Sequence, residues 1–286
     1  MRLDALPPLR EALAAHGLSA DKRFGQHFLL DLNVTAKIAR LARLPEGAAV
    51  LEVGPGPGGL TRALLEAGAR VVAVEKDRRF LPLLAELAEA AEGRLRVVDG
   101  DALSVDAAAE LAAHAPDAPT AVVANLPYNV GTPLFTGWLT GPFRPGSMTL
   151  MFQKEVADRI AAPPGADAYG RLGVLAQALA EVETAMTLPA RAFSPPPKVD
   201  SAVVRVTPRT DAPTPEHVRA LERATAAAFG QRRKMLRSSL KALGGEALCR
   251  AAGVDPDARA ETVDVAGFLR LAAVQISPAS GLDGSA

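Results

Sequence analysis

The chain has 286 residues, of which 49% are hydrophobic and 22% are charged, and this composition is that of a soluble globular protein long enough for one large and one smaller domain. Its single cysteine, Cys249, excludes a disulfide framework and a cysteine-based zinc site. The formal net charge is zero, so any binding of nucleic acid must depend on local basic patches.

The apolar segments predict a cytoplasmic protein. The N-terminal sequence MRLDALPPLREALAAHG lacks the uninterrupted apolar segment of a signal peptide. No later segment has the roughly 18 uncharged apolar residues that are needed to span a bilayer. We therefore expect no membrane partner.

Between residues 48 and 153 the sequence alternates between apolar strands and amphipathic helices. The predicted strands are 48–54, 70–77, 95–103, 120–128 and 147–153, and the predicted helices are 60–68, 80–93 and 133–139. Continuous apolar strands separated by helices are typical of a mostly parallel sheet that is covered on both faces. A helix over 171–182 and strands over 182–188 and 201–208 follow.

The composition changes near residue 208, where PRTDAPTPEH is polar and rich in proline. Thr214-Pro215-Glu216 is a typical helix start, with a capping residue, a proline and an acid. Helical periodicity continues to about Ile276, and we expect the tail, 277–286, to be frayed. The pattern predicts an α/β domain over 1–208 and a small all-helical domain over 209–286.

A glycine-rich loop, LEVGPGPGGL, follows the first strand and opens a helix. Gly54, Gly56 and Gly59 satisfy G-x-G-x-x-G, a pattern that lets the backbone approach a ligand closely. Glu75 ends the second strand, where a carboxylate can accept hydrogen bonds from ribose hydroxyls. This pattern is compatible with NAD and with other adenosine cofactors.

Two features favour S-adenosylmethionine over a dinucleotide. Pro55 and Pro57 carry no backbone N–H, which suits a pyrophosphate poorly. Glu52, Glu75 and Asp101 place acids at the ends of three strands, and Asp101 is positioned to accept from an adenine amino group. The alternative is that the acids merely cap strand ends, which explains one of them more easily than the ordered set.

The motifs of the chain resemble those of the ribosomal RNA adenine-N6 dimethyltransferases, and most of all the small-subunit branch, whose loss gives kasugamycin resistance. The matching segments are GQHFLLD (25–31), LEVGPGPGGLTRALL (51–65), VEKD (74–77), GDAL (100–103), NLPY (125–128) and FSPPPKVDSAVV (193–204). The resemblance implies a Rossmann-like fold and dimethylation, with S-adenosylmethionine, of two adjacent adenosines in the 3′-terminal hairpin of small-subunit rRNA. It also implies a role in small-subunit biogenesis and a monomeric state.

The resemblance also implies a set of cofactor residues. These are His27, Leu29, Gly54, Gly56, Glu75, Asp101 and Asn125. Many relatives carry Asn at the position of His27, although His is also common there. Because histidine is the side chain whose charge changes near neutral pH, a side-chain contact of His27 with the cofactor would be sensitive to pH. The alternative for this histidine is a structural role.

The segment Asn125-Leu126-Pro127-Tyr128 interrupts an apolar strand, and the resemblance marks it as the catalytic motif. The adenine amine is a poor nucleophile because its lone pair is delocalised. The Asn125 side-chain oxygen and the Leu126 carbonyl are suited to accept its hydrogens and aim that lone pair, while Pro127 fixes the backbone. We expect Tyr128 and Phe193 to stack on the flipped base. The alternative is a turn with two aromatic rings in the core.

The segment FGQRRKMLRSSLK (229–241) is basic and contains no acid. Its cations are Arg232, Arg233, Lys234, Arg237 and Lys241. On a continuous helix, positions 233, 237 and 241 share one face, which favours contact with RNA phosphates over a merely solvated face. Lys22, Arg23 and Lys198 are further candidates for RNA contact.

Three other functions are compatible with parts of the pattern. A large-subunit rRNA adenine dimethyltransferase shares the cofactor and the chemistry, although PPPKVDSAVV favours the small subunit. A non-catalytic ribosome assembly factor on the same fold would not need the NLPY motif. An NAD-dependent reductase would need a hydride-transfer partner such as Tyr-x-x-x-Lys, which we do not find.

Overall fold

The computed structural model of the protein describes residues 3–21, 23 and 25–276. The described residues divide into two compact units, one within 1–157 and 183–208 and the other within 158–182 and 209–286. The second unit therefore includes 158–182 as well as the segment after Pro208. The domain division between residues 208 and 209 stays a prediction, and the tail 277–286 lies outside the described residues.

Strands and helices alternate along the chain. The strands are β1 (Phe28–Leu29), β2 (Ala49–Val53), β3 (Arg70–Glu75), β4 (Leu95–Asp99), β5 (Thr120–Asn125), β6 (Ser147–Gln153), β7 (Ala180–Leu188), β8 (Phe193–Ser194) and β9 (Ser201–Pro208). The helices are α1 (Leu9–Ala15), α2 (Leu32–Leu41), α3 (Gly59–Glu66), α4 (Leu81–Ala90), α5 (Ala107–His114), α6 (Gly131–Thr140), α7 (Lys154–Ala161), α8 (Arg171–Leu179), α9 (Pro215–Gly230), α10 (Leu236–Ser239), α11 (Gly245–Ala251) and α12 (Val265–Ile276).

A seven-stranded sheet has the order β4-β3-β2-β5-β6-β9-β7. The first five of these strands, β4, β3, β2, β5 and β6, are parallel, and β9 is antiparallel to β6. This confirms the predicted Rossmann-like α/β fold. The strand order reverses between β2 and β5, and ligands of such sheets bind beyond the carboxyl ends of the strands at this switch point. The glycine loop follows β2 there, and the NLPY segment begins at the end of β5.

A small antiparallel ribbon pairs β1 with β8, with Phe28 opposite Ser194 and Leu29 opposite Phe193. Strands of two residues are too short to show the alternation by which a strand is recognised in sequence. The ribbon nevertheless matters, since it joins the GQHF segment to the FSPPPK segment.

The helix α9 begins as predicted, because the Thr214 side chain accepts a hydrogen bond from the backbone N–H of His217 and Pro215 follows the cap. The prediction of a continuous basic helix through 229–241 is wrong. The helix ends at Gly230, a residue with low helix propensity, and a turn leads to the short α10. The backbone N–H of Leu236 bonds to the Ala258 carbonyl instead of continuing a helix.

Two smaller differences concern the ends of elements. The helix predicted over 171–182 ends at Leu179, and Ala180 already begins β7. Sequence patterns also did not predict α1, α2, α5 and α7. In the described part of the chain, no helix has the length and apolar character required to cross a membrane.

Candidate active site

A cavity lies at the carboxyl ends of β2 to β5, within the first unit. Its walls come from the segment before β1, the glycine loop, the ends of β3 and β4, and the turn after β5. The predicted cofactor and base residues that line it are His27, Leu29, Gly54, Gly56, Glu75, Asp101, Asn125, Leu126, Pro127 and Tyr128. The fold thus gathers five separate sequence motifs around one cavity, while the role of each residue stays a prediction.

The glycine loop requires glycine for backbone conformation and for space. Gly54 and Gly56 have φ angles of 67° and 52°, in the left-handed region that favours glycine. A Cβ atom at Gly54 would lie 3.4 Å from the Pro127 ring, and one at Gly56 would lie 3.1 Å from the Phe28 ring. The loop therefore packs against the NLPY segment and against β1.

Glu75 braces this loop. Its Oε2 accepts from the backbone N–H of Gly56 at 3.0 Å, and its Oε1 accepts from that of Asp77 at 2.8 Å. Burial raises the pKa of the Glu75 carboxyl, and the two backbone N–H groups oppose this rise by stabilising the charged form. Each carboxylate oxygen keeps a lone pair with which to accept a further hydrogen bond.

Asp101 lies at the rim of the cavity with a charged partner. The Lys76 ammonium is 2.8 Å from Asp101 Oδ2, and the Leu103 backbone N–H donates to Oδ1 at 3.0 Å. The hydrogen bond from Lys76 lowers the pKa of the Asp101 carboxyl. Because the Lys76 side chain is 63% exposed, it has room to move aside for a ligand.

Glu52 belongs to the cavity wall, although sequence reasoning noted it only as one acid among several. It is 2% exposed, and its Oε2 has no hydrogen-bond partner among the described residues. Burial raises the pKa of this carboxyl to about 8. A nearby positive charge lowers the pKa of such a buried carboxyl and stabilises its charged form, so this wall favours a cationic ligand over a phosphate. The sequence signal that could have placed Glu52 in the cavity wall was its position two residues before Gly54 of the glycine loop.

Asn125, the last residue of β5, has a defined side-chain orientation. Its Nδ2 donates to the His27 backbone carbonyl at 3.3 Å. A carbonyl accepts only, so the nitrogen of the amide must face it. The Oδ1 atom is therefore the end of the amide that is available to accept from a substrate.

The His27 ring contacts both Pro195 and Tyr128. Its Nδ1 is 2.8 Å from the Pro195 carbonyl, which requires the proton on Nδ1. The ring stacks on Tyr128 with centroids 5.6 Å apart and an interplanar angle of 29°. Its side chain thus supports the aromatic part of the cavity, and its carbonyl orients Asn125.

Phe193, the predicted second plate for the base, does not line the cavity. Its side chain is 4% exposed and lies in the hydrophobic core. The pairing of β8 with β1 places Phe193 opposite Leu29, which is itself buried in that core. In this structure, His27 is the ring that faces Tyr128.

The segment before β1 is held by a buried acid that the sequence did not reveal. Gln26 Nε2 donates to Asp77 Oδ2 at 2.8 Å, and the Asp21 backbone N–H donates to Gln26 Oε1 at 2.8 Å. Asp77 is 4% exposed, and Arg79 lowers the pKa of its carboxyl. No sequence pattern marks a pair that lies 51 residues apart.

The predicted RNA residues fall into three groups. Arg23 lines the cavity and forms an ion pair with Asp21, whereas Lys22 lies outside the described residues. In the second unit, Arg232 donates to the carbonyls of Asp167 and Tyr169, and Arg237 forms an ion pair with Asp257. Lys198, Arg233, Lys234 and Lys241 are exposed, as are Arg23, Arg232 and Arg237.

Comparisons with known proteins agree on one family. The chain matches the sequence profile of the family described as "Ribosomal RNA adenine dimethylase" over residues 17–276. It is 68% identical to "Ribosomal RNA small subunit methyltransferase A" of Phenylobacterium zucineum over 95% of this chain and 94% of that protein. The protein of the same name from Caulobacter vibrioides is 71% identical over 88% of this chain and 96% of its own length.

Solved structures show the same fold. A dimethyladenosine transferase from Plasmodium falciparum has a TM-score of 0.69 at 25% identity and covers 86% of this chain and 96% of its own. The 23S rRNA methyltransferase ErmE has a TM-score of 0.67 at 29% identity and covers 86% of this chain and 98% of its own. The chain therefore belongs to the ribosomal RNA adenine dimethylase family.

Proposed function

We propose that this protein dimethylates the N6 amines of two adjacent adenosines in the 3′-terminal hairpin of small-subunit rRNA. Family membership makes it an rRNA adenine dimethyltransferase that uses S-adenosylmethionine. The high identity to small-subunit methyltransferases over most of the chain supports that subunit as the substrate. We further propose that it acts as a cytoplasmic monomer.

The cavity fits S-adenosylmethionine by the chemistry of its walls. The buried Glu52 carboxyl, whose Oε2 has no hydrogen-bond partner among the described residues, would be stabilised in its charged form by a cationic ligand. Glu75 would hold the ribose hydroxyls, and Asp101 the adenine amino group, once Lys76 has moved aside. The loop at Gly54 and Gly56 leaves room for close approach of the backbone. When bound, the cofactor supplies a methyl group on a positively charged sulfur.

The orientation of Asn125 is the observation that carries the mechanism. The His27 carbonyl engages Nδ2, so Oδ1 is available to accept one hydrogen of the target amine. The Leu126 carbonyl would accept the other hydrogen, and Tyr128 would stack on the flipped base. Two acceptors on the amine hydrogens favour a pyramidal nitrogen whose lone pair points along one direction.

The reaction needs no basic side chain. With S-adenosylmethionine bound, the amine lone pair would form a bond to its methyl carbon, and the electron pair of the broken carbon–sulfur bond would stay on sulfur. The methylated nitrogen is positively charged and strongly acidic, so it loses its proton to water. Catalysis then depends on positioning and on preorganised acceptors.

The test uses labelled S-adenosylmethionine with small ribosomal subunits from an undermethylated strain and large subunits in parallel. Asn125→Ala removes the amine acceptor, and Asn33→Ala is the matched control because Asn33 is exposed on α2. We expect dimethyladenosine in small-subunit RNA with the wild type and Asn33→Ala, and about 100-fold less with Asn125→Ala.

Other outcomes would favour the alternatives. Label in large subunits alone would assign the protein the substrate named for ErmE. Binding of small subunits without any label, together with binding of S-adenosylmethionine, would indicate an assembly factor. Normal activity of Asn125→Ala would refute the role of its oxygen.

A further inference from the structure

The hydroxyl group of Tyr128 is held by a residue that lies 73 positions later in the chain. Tyr128 Oη and Ser201 Oγ are 2.9 Å apart. Ser201 is fully buried, whereas Tyr128 is half-buried and lines the cavity. Because the serine hydroxyl is removed from water, the tyrosine supplies the hydrogen bond that it requires.

The sheet register explains why Ser201 reaches this site. Ser201 begins β9 opposite Gln153, the last residue of β6. The parallel neighbour of β6 is β5, in which Asn125 pairs with Met151. Ser201 therefore lies at the carboxyl ends of the parallel strands, as Asn125 does, and the turn after β5 brings Tyr128 over it.

Two contacts determine the position of the Tyr128 ring. The hydrogen bond to Ser201 holds the far end of the ring, and the His27 ring covers one face. Two side-chain torsions orient a tyrosine, so contacts at its tip and face restrict both of them. Because His27 covers one face, a target base would stack on the opposite face of Tyr128.

We propose that Ser201 is a positioning residue for methyl transfer, because its hydroxyl holds the Tyr128 ring in the orientation in which the target adenine stacks on it. This inference rests on the function proposed above for Tyr128. Ser201 touches neither the base nor the cofactor in this scheme and acts through the tyrosine.

The second methyl transfer should depend on Ser201 more than the first. A monomethylated amine keeps one hydrogen, so Asn125 and Leu126 together have one hydrogen bond fewer with which to align it. Stacking on Tyr128 then provides a larger share of the alignment. Loss of the Ser201 hydroxyl should therefore increase the fraction of monomethyladenosine in the product.

The kinetic test compares Ser201→Ala, Tyr128→Phe and the double variant on undermethylated small subunits. We expect each single change to lower kcat/KM for the RNA about tenfold, the size expected for one lost hydrogen bond. The double variant should match the single ones, since both changes remove the same bond. The affinity for S-adenosylmethionine should stay within about twofold, as one missing side-chain hydroxyl leaves the cofactor contacts in place.

The matched control is Ser147→Ala, because Ser147 begins β6 and lies at the amino ends of the parallel strands, away from the cavity. We expect it to leave turnover and the product ratio unchanged. Wild-type kinetics and product ratio for Ser201→Ala, with or without a lower Tm, would overturn the inference. Additive losses in the double variant would overturn it as well.

A second measurement does not require activity. The chain has two tyrosines, so selective ring labelling with carbon-13 gives two sets of NMR signals. Ser201→Ala should shift or broaden the signals of Tyr128 and spare Tyr169, whose hydroxyl donates to the Val263 carbonyl. Unchanged Tyr128 signals would refute the positioning role, whereas an inactive wild type with altered Tyr128 signals would refute only the proposed function.

Discussion

Replacement of Glu52 by Gln should remove a large part of the pH dependence of stability. Burial raises the pKa of the Glu52 carboxyl from 4.5 to about 8, and Glu75 adds to this rise by charge repulsion. Between these pH values the native protein keeps a proton that the unfolded chain releases. The free energy of unfolding therefore falls as the pH rises from about 4.5 to about 8. The amide of Gln stays neutral and has the same shape.

The structure sets an upper limit on this effect. The gap between 4.5 and about 8, at about 1.36 kcal/mol per pH unit, corresponds to about 5 kcal/mol. The full value applies above pH 8, and entry of water beside the carboxylate would reduce it. Below about pH 4.5 Glu52 is protonated in both states, so the stability advantage of the Gln variant should disappear there.

Urea unfolding between about pH 5 and pH 9 measures the effect, with the fluorescence of Trp138 as the probe. Trp138 is the only tryptophan and lies buried in α6 of the same unit. Glu89→Gln is the control, because Glu89 is exposed on α4. If the difference in stability between the wild type and Glu52→Gln is the same at every pH, the reasoning is refuted.

Three further predictions concern the loop, the second unit and the RNA. A φ of 67° costs alanine about 1–2 kcal/mol, so we expect the free loop of Gly54→Ala to relax away from this conformation. Restoring the conformation on binding should weaken the affinity for S-adenosylmethionine about tenfold by calorimetry, and an unchanged Kd would contradict this. Tyr169→Phe leaves the buried Val263 carbonyl without its 3.0 Å hydrogen bond. Thermal unfolding should show that the free energy of unfolding falls by about 1–2 kcal/mol, while methyl transfer is retained. Lys234→Ala should reduce the slope of log binding constant against log salt by about 1 in filter binding to rRNA, and an unaltered slope would argue against phosphate contact.

The inner parallel strands of the central sheet, β2, β3, β5 and β6, could be predicted from sequence because they are buried along almost their whole length. In β2 every residue is buried, and in β3 only the first residue is exposed. Such strands appear as continuous apolar runs, and the intervening helices show their own period. The glycine loop could also be predicted from sequence, since its requirement for positive φ is a property of the local backbone.

The basic segment of the second unit shows where local reasoning fails. The charges of 229–241 predicted a single helical face, but the helix stops at Gly230. Leu236 is fully buried, and its N–H bonds to the carbonyl of Ala258. Contacts with residues about twenty positions away therefore decided the break.

Sequence by itself determined which residues could form the site: the glycine loop, the acids at three strand ends and the NLPY motif each occupy positions that the fold class places at one sheet edge. Tertiary structure decided which of their neighbours face the cavity. The register between β1 and β8 buries Phe193 and leaves His27 beside Tyr128, while the register of β9 brings Ser201 to the same ring. Register sets the face of a strand on which each side chain lies, and it depends on pairing between segments that are far apart in the chain.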